Sequence, residues 1–253
     1  MNHKYFNINE PGYSIRCKQY YTDRSPVGKA VICFTGFAGH KDNGAAEKFA
    51  EKLLSKSKDV NVFVFNWPSH GDDARKKLTL DDCSVYIKLV TDTLKTKFAV
   101  RELYAYATSF GGYLVLKYII EHGSPFEKIA LRCPAVDMYD VLTRTIMKSD
   151  DFDRIMKGEN IQIGFDRKII VTRELLLEMK TNDIRQYDYL NESERILILH
   201  GTEDEVVPFD SVRTFADDNL IEFIPIEGAD HRFVNPVHMS LANKYVMQFF
   251  DFQ

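Results

Sequence analysis

The stretch that most restricts the fold is Leu103-Tyr-Ala-Tyr-Ala-Thr-Ser-Phe-Gly-Gly-Tyr-Leu114. Leu103 to Thr108 reads as a buried strand, and the apolar run from Gly111 to about His122 reads as a helix. Ser109 stands between them, with no room for a loop. Such a turn is strained, and strand and helix pass so close that only small side chains fit beside it. Ala107 and Gly111, two before and two after the serine, are small. The turn lifts the hydroxyl above the sheet and aims the first N–H groups of the helix at whatever sits on it. A small-x-Ser-x-Gly pattern is common by chance, so its meaning depends on the rest of the chain.

The rest alternates strand and helix signals. Residues 4–20 read as an antiparallel hairpin broken at Pro11-Gly12. Lys29 to Thr35 reads as a buried strand ending in the loop Gly36-Phe-Ala-Gly-His-Lys-Asp-Asn43. A helix follows, with Ala46, Phe49, Ala50, Leu53 and Leu54 on one face. Asn61 to Trp67 is the next strand, closed by Pro68-Ser-His-Gly71. Thr79 can cap a helix of about 19 residues, with Asp82 reaching back to it. Further strands are expected at Lys128–Pro134, Arg195–His200 and Leu220–Ile226. Pro236 opens a final helix with Val237, Leu241, Tyr245, Phe249 and Phe250 on one expected face. This order implies an α/β fold with a mostly parallel sheet covered on both sides. Between Ala135 and Glu194 no core-type strand is expected, only short amphipathic helices such as Arg173 to Met179. A structureless loop of that length is improbable, so residues 136–193 are read as a cap inserted into a single domain, 1–253.

Composition narrows the class. The chain has 253 residues, 45% hydrophobic, with 18 Phe and 13 Tyr, enough for a sizeable core. A formal net charge of −4 and the lack of a Lys/Arg block argue against nucleic acid as a partner. Cys17, Cys33, Cys83 and Cys133 are widely spaced and read as buried thiols of a reducing compartment. No run of signal-peptide or membrane-span length is found, so the expectation is a cytoplasmic protein with no membrane span. The histidines and cysteines have no metal-ligand spacing, and neither metal nor cofactor is expected. A homodimer stays open.

A serine hydroxyl needs a histidine to take its proton and an acid to orient that histidine. In an open parallel sheet these groups collect just past the strands' carboxyl ends. His200-Gly-Thr-Glu-Asp-Glu-Val-Val-Pro208 offers Asp204 after one strand, and Glu227-Gly-Ala-Asp-His-Arg-Phe233 offers His231 after the last. Glu203, Glu205 and Asp230 are rivals for the acid. His70 and His200 read as loop-stabilising residues, and His3, His122 and His238 as surface residues. His40 can line the pocket mouth or lie in a surface loop.

With these motifs the chain resembles the α/β-hydrolase fold serine hydrolases, most closely the small bacterial esterases that include cinnamoyl and feruloyl esterases. The resemblance runs from about Lys29 to Phe250. It rests on Gly36-Phe-Ala-Gly-His-Lys, His70-Gly71, the Ser109 turn, the Asp204 turn ending in Val207-Pro208, and Gly228-Ala-Asp-His231. It implies Ser109 as nucleophile, Asp204 as orienting acid and His231 as general base, with the backbone N–H groups of Phe110 and Phe37 as oxyanion hole. It implies a small-molecule carboxylic ester as substrate, selected by the cap through Met138, Tyr139, Ile161 and Ile163. Thr35 and Asn66 depart from the family's usual His and Asp, which bears on pocket shape. A thioesterase or other acyl hydrolase with the same residues is one alternative, and a non-catalytic binding protein on a hydrolase scaffold is another.

Overall fold

The computed structural model of the chain describes residues 1–23, 28–164 and 167–252. A hairpin of β1 (Asn2–Glu10) and β2 (Tyr13–Tyr21) opens the fold. Then come β3 (Lys29–Phe34), α1 (Gly44–Lys56), β4 (Val60–Phe65), α2 (Leu80–Lys97), β5 (Glu102–Thr108), α3 (Phe110–His122) and β6 (Lys128–Arg132). The segment after β6 holds α4 (Met138–Asp140), which widens into a π-helical turn over Val141–Ile146, and α5 (Asp151–Met156). It continues through a small hairpin, β7 (Ile161–Ile163) and β8 (Ile169–Val171), and α6 (Arg173–Thr181). The chain closes with β9 (Ile196–Gly201), α7 (Phe209–Asp218), β10 (Glu222–Ile226) and α8 (Pro236–Phe249).

Eight strands form one sheet in the order β1-β2-β4-β3-β5-β6-β9-β10. The β1–β2 and β2–β4 pairs are antiparallel, and the remaining pairs are parallel. The core follows from the two-residue period of the strands. Ile32, Leu103, Ala105, Ile129 and Ile198 face the layer of α2, α3 and α7, while Val31, Tyr104, Tyr106, Ala130 and Leu197 face α1 and α8. The segment after β6 does not keep a separate core. Met138, Ile155, Ile161, Val171 and Leu175 merge with the first of these layers. No described helix is long and apolar enough to cross a membrane.

Two expectations need correction. Thr79 does cap α2, its hydroxyl accepting from the Asp82 N–H at 3.2 Å. The Asp82 carboxylate, however, turns away to Arg75 at 2.8 Å and to the Tyr13 hydroxyl at 3.1 Å. A guanidinium outcompetes a neutral amide for a carboxylate. The Leu80 N–H instead donates to Glu178 of α6 at 3.1 Å. On α8, Val237 is 69% exposed, and Leu241 is also exposed, while Ala242, Val246 and Met247 are buried. Apolar residues lie all round this helix, so its own period does not choose the buried face.

Candidate active site

The turn between β5 and α3 holds Ser109 at φ 52 and ψ −117, a strained backbone for a residue with a side chain. Packing fixes it there. A Cβ on Gly111 would stand 2.5 Å from the Phe34 carbonyl oxygen, so any larger residue would force α3 off the end of β3. A Cβ on Gly112 would stand 2.8 Å from Pro134. The Ser109 N–H donates to the Arg132 carbonyl at 3.0 Å, and its carbonyl accepts from Ala135 at 3.1 Å, which ties the turn to the end of β6.

Three side chains from three strand ends meet in a line. The Ser109 hydroxyl lies 3.1 Å from His231 Nε2, and His231 Nδ1 lies 2.8 Å from Asp204 Oδ2. With Nδ1 donating to the carboxylate, Nε2 is the acceptor for the serine proton. Asp204 follows β9, and its side chain is fully buried. Its other oxygen, Oδ1, accepts from the N–H groups of Val206 at 2.9 Å and Val207 at 2.8 Å. Burial pushes this carboxyl up, but the His231 hydrogen bond and charge and the Val207 amide outweigh it and bring the group below its ordinary value. Of the rival acids, Glu203 is exposed and the other two have other partners. Glu205 accepts from the His231 backbone N–H at 3.3 Å, and Asp230 folds its own loop by accepting from Arg232 and Val234.

Phe37 and Phe110 flank the serine. Phe110 opens α3, where the first N–H groups have no partner inside the helix. Phe37 lies in a tight turn closed by the Gly39 N–H on the Gly36 carbonyl at 2.9 Å, with Ala38 at φ 62. The two phenyl rings meet edge to face at 5.7 Å. His70 is buried against both, stacked on Phe110 at 6.2 Å and edge-on to Phe37 at 5.8 Å. Burial lowers its pKa to about 4, so it packs there as a neutral ring.

Of the pocket residues expected from the sequence, Met138 and Ile161 are buried in the core, and Tyr139 and Ile163 are half-buried against it. His40 Nδ1 accepts from the Asp42 N–H at 3.2 Å within the loop after β3. The β7–β8 hairpin approaches this loop. A Cβ on Gly164 would be 3.4 Å from the Ala38 side chain. Arg167, after the same turn, donates to the carbonyls of Gly71, Asp73 and Arg75 at 2.8, 2.6 and 2.9 Å. Sequence reasoning passed over Arg167 and also Arg132. Arg132 reaches from β6 to the Arg232 carbonyl at 3.2 Å and lies over the Phe233 ring, bracing the His231 loop. The available signal was a charged residue directly after the apolar run Ile129-Ala-Leu131 and before Cys133.

One buried group of metal-ligand type exists among the described residues: Cys133, His200 and Asp204, with one ligand atom of each within 4.8 Å of the others. Asp204 already accepts from His231 and two amides, so a cation there would compete directly with His231.

The chain belongs to the alpha/beta hydrolase fold family, whose model matches residues 29–158, more than half of its length. Among solved structures it is similar to Est1E from Butyrivibrio proteoclasticus, with 18% identity over 97% of each chain and a TM-score of 0.77. Est1E has also been solved with ferulic acid bound. The chain is similar to a monoacylglycerol lipase from Paleococcus ferrophilus, with 18% identity over 94% of this chain and 99% of the lipase and a TM-score of 0.65. It is also similar to the mouse alpha/beta hydrolase domain-containing protein 10, with 14% identity over 98% of each chain and a TM-score of 0.71. At these identities the likeness is one of fold. No curated protein sequence matches the chain.

Proposed function

We propose that this hydrolase is a serine carboxylesterase acting on small acyl or aromatic esters. The observation that carries the reading is the unbroken line from Ser109 through His231 to Asp204, at 3.1 and 2.8 Å. In this mechanism Ser109 Oγ attacks the ester carbonyl while its proton passes to His231 Nε2. The N–H groups of Phe37 and Phe110 donate to the oxyanion of the tetrahedral intermediate, each worth about 3–4 kcal/mol of barrier. The imidazolium returns its proton to the departing alcohol, leaving an acyl-enzyme. Water, deprotonated by the same His231, then releases the acid. Asp204 stays ionised and stabilises the imidazolium. Residues 136–193 act as a cap over this site, supported by the approach of Gly164 to Ala38 and by the three Arg167 hydrogen bonds. The ester-cleaving reading also agrees with the esterase and lipase among its structural neighbours.

The test is hydrolysis of p-nitrophenyl esters from acetate to palmitate, with matched thioesters and with Ser109→Ala as control. Oxygen-ester turnover that drops by about 10⁶-fold in kcat in the mutant is the expected result. Faster cleavage of the thioesters would reassign the leaving group. Equal rates in wild type and mutant would remove the serine mechanism.

A further inference from the structure

We infer that His200 is a positioning residue for Asp204, a second, neutral histidine that holds the acid in line without neutralising it. This rests on the serine hydrolase reading above. His200 is the penultimate residue of β9 and is wholly buried. Its Nε2 lies 3.0 Å from the Val207 carbonyl and 3.3 Å from Asp204 Oδ2. Both neighbours are acceptors only, so Nε2 carries the proton. That one N–H fastens the turn 204–207 at the residue whose amide holds Asp204 Oδ1, and presents its positive end to Oδ2.

The ring's other nitrogen decides its charge. Among the described residues Nδ1 is buried with no hydrogen-bond partner, so a second proton there would be a desolvated, unsatisfied donor. The groups around the ring give a cation no further support. Phe209 and Phe223 pack at 5.9 and 6.5 Å, the Cys133 sulfur lies within 4.8 Å of a ring nitrogen and of the carboxylate, and His231 stands across the carboxylate. Burial accordingly lowers the His200 pKa, even though Asp204 pulls the other way. Neutrality matters for the mechanism. A charged His200 would form an ion pair with Asp204 and draw off the field that steadies the His231 imidazolium. A neutral donor fixes the carboxylate's orientation and leaves its charge for His231.

The test compares wild type with His200→Gln and His200→Leu by two readouts. The first is the pH profile of kcat and KM for p-nitrophenyl acetate. The second is the low-field proton resonance of the His231 Nδ1–H, which needs no turnover. Gln can place an N–H where Nε2 stood, and Leu cannot. We expect His200→Gln to stay within about threefold of wild type in kcat. His200→Leu should lose about ten- to a hundredfold in kcat at nearly constant KM, short of the roughly 10⁴-fold loss for a missing triad acid. Its acid limb should be displaced and its low-field resonance broadened or lost. A folded His200→Leu with the wild-type profile and resonance overturns the inference. So does His200→Gln falling as far as His200→Leu. Should the Leu variant not fold, His200→Asn, whose donor is too short to reach Val207, takes its place with the same expected loss. If wild type and Ser109→Ala cleave the ester alike, the esterase reading fails, while the resonance still reports whether His200 holds Asp204.

Discussion

Two buried aspartates, each in a loop at the carboxyl end of a parallel strand, are driven in opposite directions. Asp204, after β9, collects two amides on one oxygen and a histidine on the other, and sits below its ordinary pKa. Asp73, after β4, has the Tyr86 hydroxyl at 3.0 Å and the Arg75 amide at 2.9 Å, both on Oδ1. Its Oδ2 is buried with no partner among the described residues, and burial raises its pKa to about 6 despite those two donors. Burial alone thus does not set the state of a carboxyl. The number of donors that the fold delivers to its oxygens does. One region favours the anion, and the other tolerates a partly satisfied acid.

The largest effect should come from Asp204→Asn. It keeps the shape of the turn but removes the charge and presents the wrong hydrogen-bonding group to His231, so kcat should fall by about 10⁴-fold. Asp73→Asn should leave kcat near wild type, and a comparable loss there would erase the contrast. Next comes Arg167→Ala, which strips three charge-assisted bonds from the loop carrying Asp73. A loss of about 2–3 kcal/mol in urea unfolding is expected, and an unchanged midpoint would show that the latch contributes nothing.

Asp73→Asn itself should stabilise the protein at pH 7. A carboxyl with a raised folded-state pKa favours the native state only while protonated. Its contribution is complete below about pH 4 and is lost as pH rises through about 6. The mutant should therefore match wild type near pH 4 and exceed it by about 1–2 kcal/mol at pH 7, the linkage value discounted for partial solvent screening. A stability difference that does not grow with pH would refute this. Asp204 has the opposite sign. Its contribution is present above the ordinary carboxylate range and fades as pH falls through its depressed value. Smallest is Tyr86→Phe, which takes one donor from Asp73 and should cost about 1 kcal/mol by thermal melting. A neutral or stabilising result would mean that the hydroxyl is not holding the acid.

What the sequence determined by itself is what lies close along the chain. Strand alternation, the helix face of Ala46, Phe49, Ala50, Leu53 and Leu54, and the small residues around Ser109 depend on fixed local periods, and the structure buries them as expected. The order of serine, acid and histidine past successive strands was also legible, because parallel strands bring their carboxyl ends to one edge. Other features needed partners from far away. Glu178 rather than Asp82 completes the α2 cap, Arg167 reaches back 96 residues to Gly71, and His200, Asp204 and Cys133 converge from two strand ends. The exposure of Val237 and Leu241 was equally undetermined, since α8 carries apolar residues on every side and only the sheet selects which are buried. Periodicity is a property of the backbone and is written locally. Donor count and burial are set by what packs opposite, and only the tertiary structure decides that.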